Sequence, residues 1–240
     1  MPDGLGGPAP SENDVPVNDV PVGDPLLKVD PANAQPQKSA SLKGAELTFK
    51  IADQDWELEK ICAMNYATFV EEIPQHGEND EKMLVDKFHS NNDYVIALQD
   101  GELVGMLAGR GVRPFSLDGK LDNLDQYLTP GRKVVEIRLL SVEPGKRGTR
   151  IAAGLMAEML RFCIENEFQE AIISGTTRQL RLYKKLGFEA FGPLVGSDAD
   201  AMFQPMRLRM ESLGEKAQQF GRLMDGNLQK VAQSYFEKNT

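Results

Sequence analysis

Arg147, Gly148, Thr149, Arg150, Ile151 and Ala152 stand between an apolar run, Val134–Val142, and a helical pattern that begins at Ile151. A helix that opens on such a turn presents unpaired backbone N–H groups and the positive end of its dipole. Gly148 and the small Ala152 let that backbone approach an anion closely. The chemistry that fits is capture of a phosphate or diphosphate group. An ordinary strand-to-helix turn would use Gly148 in the same way, for a positive φ. The charge pattern bears on the choice. Residues 131–185 hold eleven Lys/Arg and six Asp/Glu, a local +5 on a chain of net charge −9. A basic island on an acidic chain suits a small phosphate-bearing ligand or the acidic surface of a carrier protein; a solvated basic face looks the same. The overall acidity argues against nucleic acid as a partner.

Several elements must position this turn. Val134–Val142 reads as a central strand. Strand period puts Glu136, Arg138 and Leu140 on one face and Val135, Ile137 and Leu139 on the other. Ile151, Leu155, Met159, Phe162 and Cys163 recur at helical spacing, so a helix runs from Ile151 to about Asn166. A second apolar run, Ala171–Ile173, ends at Gly175. A short helix follows, with Thr176 or Thr177 as its cap, and closes with Tyr183 and Gly187. Upstream, Glu46–Ile51 reads as a strand. A helix capped by Asp53 or Asp55 runs to about Glu72 and stops at Pro74. A second helix is predicted from Asn79 through Phe88. Tyr94–Leu98 and Leu103–Val112 form a hairpin about Asp100-Gly101. The connection 113–132 is long, with Phe115, Leu117, Leu121, Leu124, Tyr127 and Leu128 available to pack on the domain or to cover an apolar ligand chain. Phe188–Leu194 and Met202–Met210 are closing strands about a loop at Gly196-Ser197-Asp198.

Two motifs in this order resemble the GCN5-related N-acyltransferases (GNAT). The first is Arg147-Gly148-Thr149-Arg150-Ile151-Ala152, against a family pattern Arg/Gln-x-x-Gly-x-Gly/Ala. The second is Leu182-Tyr183-Lys184-Lys185-Leu186-Gly187-Phe188. One departure stands out, because Arg150 occupies a position where the family carries Gly. The resemblance implies an α/β (α+β) fold with a central mixed sheet flanked by helices. It implies an acetyl-CoA or acyl-CoA donor whose pantetheine lies along Leu139, Leu140, Ser141 and Val142. The donor phosphates would meet Arg147, Gly148, Thr149, Arg150, Ile151 and Ala152. An amine attacks the thioester directly, Glu136 takes a proton, and Tyr183 protonates the departing sulfur. The reference pKa of tyrosine, about 10, keeps that hydroxyl protonated at neutral pH. An ion pair of Glu136 with Arg138, and packing of Tyr183 beside Leu182 and Leu186, are the plainer roles for these residues.

Asn65–Glu72 also looks like the opening of the acyl-homoserine-lactone and long-chain N-acyl amino acid synthases. With Arg150, that likeness keeps the phosphopantetheine of acyl-carrier protein open as donor. A non-catalytic acyl-thioester-binding module is the alternative from another class. Acidic residues in the first two helices hint at a cationic acceptor, though an amino acid, a polyamine and a protein amine all remain open.

Residues 1–43 read as a disordered tail, 44–210 as the catalytic domain, and 211–240 as an amphipathic helix. That helix could pack on the domain, support a homodimer, or lead into a further region. Cys62 and Cys163 lie in apolar helical patterns without metal-ligand spacing, so buried free thiols, no metal and a cytoplasmic setting are expected. No apolar run approaches the ~20 residues of a membrane span.

Overall fold

Among the described residues, the apolar runs form seven strands. These are β1 (Leu47–Ile51), β2 (Asp93–Gln99), β3 (Glu102–Arg110), β4 (Val134–Val142), β5 (Glu170–Thr176), β6 (Glu189–Ala190) and β7 (Phe203–Arg209). They make one sheet in the order β1-β2-β3-β4-β5-β7-β6. Only β4 and β5 pair in parallel; the other neighbours are antiparallel. The computed structural model describes residues 46–73, 75–147, 149–196 and 202–212, excluding the side chains of Thr149 and Arg178. The expected tail over 1–43, the stop at Pro74, Gly148, the loop at Ser197-Asp198 and the helix beyond Ser212 lie outside the described residues.

Two layers cover the sheet. On one face lies α2 (Thr149–Glu165), followed after β5 by α3 (Leu180–Lys185). The stripe Ile151, Leu155, Met159 and Cys163 packs there on Val95, Leu107, Val135 and Ile137. On the other face α1 (Asp55–Tyr66) runs into a π-helical turn, Ala67–Glu72. Its Ile61 and Phe69 pack on Tyr94, Ile96 and Met106. The connection 113–132 covers the rest of that face. Phe115, Leu117, Leu121 and Leu124 are buried against Ile172, Phe191 and Phe203. Each such burial is worth about 1.5–3 kcal/mol, enough to hold a long connection as a layer of the fold.

The hairpin follows its turn chemistry, with Asp100 at φ 52° and Gly101 at φ 87°, the signs a type I′ turn requires. The predicted helix over Asn79–Phe88 is absent. Asn79 Oδ1 accepts from Met83 N, Asn79 Nδ2 donates to Met83 O, and Lys82 adopts φ 51°. The amide side chain thus closes a turn in place of a helical bond. Leu84 N then donates to Cys62 O, which ties the segment to α1.

The strand period also breaks. Leu139 adopts φ 57°, and the β3–β4 register shifts between Met106 and Ala108. Leu139 therefore faces the α1 cluster, while Leu140 packs on the α2 side with Val135 and Ile137. This reverses the expected grouping of both leucines. A β-bulge has the extra residue and the bend that such a reversal needs.

Neither Asp53 nor Asp55 caps α1. Glu57, almost wholly buried, accepts from Asp53 N (2.9 Å), Gln54 N (3.2 Å) and Lys50 Nζ (2.8 Å). Burial raises the pKa of this carboxyl, but the Lys50 ammonium and the two N–H groups outweigh it and hold the pKa below 4.5. A depressed carboxylate adds stability above its unfolded pKa and loses it as pH falls through the folded value. Glu57→Gln should cost about 1–3 kcal/mol at neutral pH. In urea melts compared at pH 7 and below 4.5, that difference should shrink in acid.

Candidate active site

β4 and β5 share only three paired positions, Val134 with Glu170, Val135 with Ala171 and Glu136 with Ile172. Beyond Glu136 they part. β4 stays with β3 to Val142, and β5 stays with β7 to Thr176. A cavity of about 70 Å³ lies where they separate. It is lined by Glu136, Arg138, Leu139 and Leu140 from β4, Ile173 and Ser174 from β5, and Tyr183 from α3. The two expected catalytic side chains therefore border one space, although 46 residues of chain lie between them.

Tyr183 owes its place to the end of α3. Gly187, at φ 90°, lets Phe188 N donate to Tyr183 O and Gly187 N to Lys184 O, a glycine-closed helix end. The ring lies edge-on to Phe188, and a Cβ at Gly175 would come within 2.9 Å of it. The start of α3 differs from expectation, since a 3₁₀ turn, Thr177–Gln179, leads into it and no threonine side chain caps it.

Glu136 is 1% exposed. Its Oε2 accepts from Ser116 N (2.7 Å), and its Oε1 from Ser116 Oγ (2.6 Å) and Leu117 N (3.2 Å). This carboxylate fastens the 113–132 layer to the central strand. Arg138 does not pair with it. Arg138 Nη1 donates instead to Asp86 Oδ2 at 2.7 Å. Lys120 Nζ reaches Ser174 Oγ at 3.4 Å across the cavity's β5 side.

The expected donor-binding residues divide into two groups. The side chains of Leu139, Ser141, Val142 and Ile151 are buried in the protein, so only their backbone can serve a ligand. Ser141 Oγ is hydrogen-bonded to Thr68 Oγ1 of the π-helical turn. Leu140 borders the cavity, and Ala152 packs against the α2-side core. Arg147 is already engaged. Its Nε donates to Val142 O (3.1 Å), and Nη1 and Nη2 form a bidentate fork with Glu72. Arg150 is exposed and has no ion pair among the described residues. Gly148 and the Thr149 side chain are outside the description. Cys62 and Cys163 are free and buried, and burial pushes the Cys163 thiol up to about 12 and raises that of Cys62.

A model of the acetyltransferase (GNAT) family matches residues 58–188, just over half of the chain. The chain belongs to this family. The family is one of acetyltransferases, which favours an enzyme over a non-catalytic binding module. The N-acetylaspartate synthetase of Xenopus tropicalis is 30% identical over 100 residues, 40% of this chain and 31% of that protein. The chain thus spans about a third of that curated relative's length. Solved structures with a similar fold include FeeM, an N-acyl amino acid synthase from uncultured soil microbes (TM-score 0.54, 16% identity, 72% of this chain and 95% of that one). They also include MesI, a CoA-dependent acyl-homoserine lactone synthase (TM-score 0.56, 16% identity, 75% and 88%). No helix of the described residues is long and apolar enough to cross a membrane.

Within this GNAT fold, Arg110, Asp86, Ser116 and Lys120 escaped sequence reasoning. Arg138 entered it only as a partner for Glu136. The one available signal was charge inside an apolar strand, since Glu136 and Arg138 interrupt a run that otherwise reads as core. Glu136→Gln keeps the shape but sets an NH₂ group against donors. It should cost about 1–3 kcal/mol and speed hydrogen exchange at the amides of Ser116 and Leu117. Unchanged exchange there would mean that Glu136 does not anchor this layer.

Proposed function

We propose that this N-acyltransferase moves an acyl group from an acyl-CoA thioester to a small amine by direct attack in the β4–β5 cavity. The observation that carries the reading is the cavity itself, bordered by Glu136 and Tyr183 where two parallel strands part. The unpaired edge of β4 from Leu139 to Val142 offers backbone groups to the pantetheine amides. The start of α2 offers its N–H groups and dipole to the diphosphate, with Arg147 and Arg150 beside it. Arg147 then exchanges the Glu72 carboxylate for a phosphate, which suits the same planar fork.

In the reaction the amine nitrogen bonds to the thioester carbonyl carbon and the C–S bond breaks. Three of about four acceptor directions on Glu136 are taken by Ser116 and Leu117, leaving one on Oε2. That direction receives the proton lost by the nitrogen, and Tyr183 gives its proton to the sulfur. The names of the N-acetylaspartate synthetase and the N-acyl amino acid synthase assign amino acids to those proteins, which supports a small-molecule acceptor here.

A carrier-protein donor is the second reading. Lys146, Arg150, Arg181, Lys184 and Lys185 are all exposed without ion pairs among the described residues, and an acidic carrier would meet them favourably. Thiol release measured with acetyl-CoA, a long acyl-CoA and acyl-carrier protein over an amine panel separates the two. Turnover with the carrier protein alone would replace the CoA reading, and no release with any donor would end both.

Tyr183→Phe should lower kcat by about 10²–10⁴-fold with little change in donor KM. Unchanged kcat would remove the proposed acid. Gly175→Ala should push the ring aside and cost about tenfold or more in kcat. A crystal structure of that variant would show whether the ring moved.

A further inference from the structure

We propose that the acceptor amine also carries a carboxylate, and that Arg138, on the cavity wall, binds it with Arg110 as the second cation on the adjoining strand. This rests on the acyl-transfer reading above and names the substrate class for the same cavity.

Arg138 lies two residues beyond Glu136 on β4 and borders the cavity that Glu136 and Tyr183 border. Its side chain is 11% exposed. Nη1 is paired with Asp86, but Nε is buried with no hydrogen-bond partner. Arg110 stands on β3 opposite Glu136, and Arg138 stands opposite Ala108, so the two arginines occupy one face of adjoining strands. Arg110 is 3% exposed. Its Nε donates to Pro114 O at 2.6 Å, while its Nη1 is buried without a partner, and it has no ion pair among the described residues.

Phe88 fixes both groups. The Arg110 guanidinium lies 4.2 Å and that of Arg138 4.8 Å from the centroid of its ring, with Lys87 Nζ at 5.0 Å. Three cations therefore surround one ring. The acids nearby are committed. Asp86 Oδ2 accepts from Arg138 and from Asn92, and Glu136 is turned to Ser116 and Leu117. A buried guanidinium N–H without an acceptor is costly to maintain. A bound carboxylate supplies the acceptors, in a planar shape that the guanidinium fork matches. Anchored at Arg138, such a ligand holds its amine toward Glu136 and the thioester.

The acidic surface of the first helical segment does not contradict this. Glu71 is paired with Lys82, so it is not waiting for a cationic substrate.

The test measures thiol release by the wild-type protein from an acyl-CoA, with amino acids, their carboxamides and the corresponding decarboxylated amines as acceptors. Acidic amino acids are run as the α-amide and the side-chain amide separately, which identifies the carboxylate that is read. The expected result is a preference of at least about 30-fold in kcat/KM for the free carboxylate, mostly through acceptor KM. Arg110→Gln should narrow that preference and Arg110→Lys should restore part of it. Arg110 is the position to change because it has no carboxylate partner to strand; replacing Arg138 would leave Asp86 buried and unpaired.

Equal turnover of acid and carboxamide by the wild type overturns the proposal, and that comparison needs no variant to fold. An equal loss for both acceptors in Arg110→Gln makes the arginine structural and also overturns it. Turnover of amines without carboxylate preference leaves the acyl-transfer reading standing and removes only this inference. No thiol release with any acceptor removes both.

Discussion

Two strands that begin as a pair and are then claimed by different neighbours create the site. β4 and β5 share three positions. β7 holds β5 along its whole length, and β3 holds β4 through a bulge that bends it. Neither strand can follow the other without breaking its own antiparallel ladder. Backbone N–H and C=O groups at the opening must find partners elsewhere. A pantetheine chain carries amides of the right kind, which is why the open edge supports a thioester donor in the proposed reading.

Glu136 sits at the vertex. It is the last β4 residue paired with β5, and its carboxylate holds the start of the layer that closes the sheet's far face. Burial of a carboxylate is tolerable only when donors surround it. The three donors from Ser116 and Leu117 therefore fix where the 113–132 segment lies. Arg138, one pleat further, is held by Asp86 from a segment tied to α1. The charges at the cavity are thus set by the fold before any ligand arrives, so the proposed reaction would need little reorganisation there.

The extent of β4 was legible, because an unbroken apolar run between turns leaves few alternatives. The bulge was not, since Leu139 and Leu140 are chemically alike and nothing local distinguishes which one turns. Asn79 was read as the start of a helix because a helix start and a side-chain-closed turn use the same residue type. Tyr183 and Glu136 could be named from motif and strand position. The company they keep could not. Ser116 approaches Glu136 only after the 113–132 layer folds back, and Arg110 lies opposite Glu136 only in a register set by the bulge. Contacts of this kind depend on the tertiary arrangement, so neither periodicity nor spacing carries them.

Arg147 links the two halves of the proposed reaction. Its fork holds Glu72, the last residue of the π-helical turn, while its Nε holds Val142 O at the end of β4. Thr68 in the same turn is hydrogen-bonded to Ser141. The acceptor-side segment is therefore fastened to the donor-side strand at two neighbouring points. One fastening is buried and neutral; the other is partly exposed and ionic. In the proposed reading an entering diphosphate, which carries more charge than a carboxylate, competes only for the ionic one. The Thr68–Ser141 contact keeps the turn in register while Glu72 is released. Arg150, exposed and free of ion pairs among the described residues, offers a second cation beside Arg147 without any contact to break. On this view the substitution that departs from the family pattern does not obstruct the donor site. In the proposed reading it supplies the charge that Arg147 has committed elsewhere until the donor is in place.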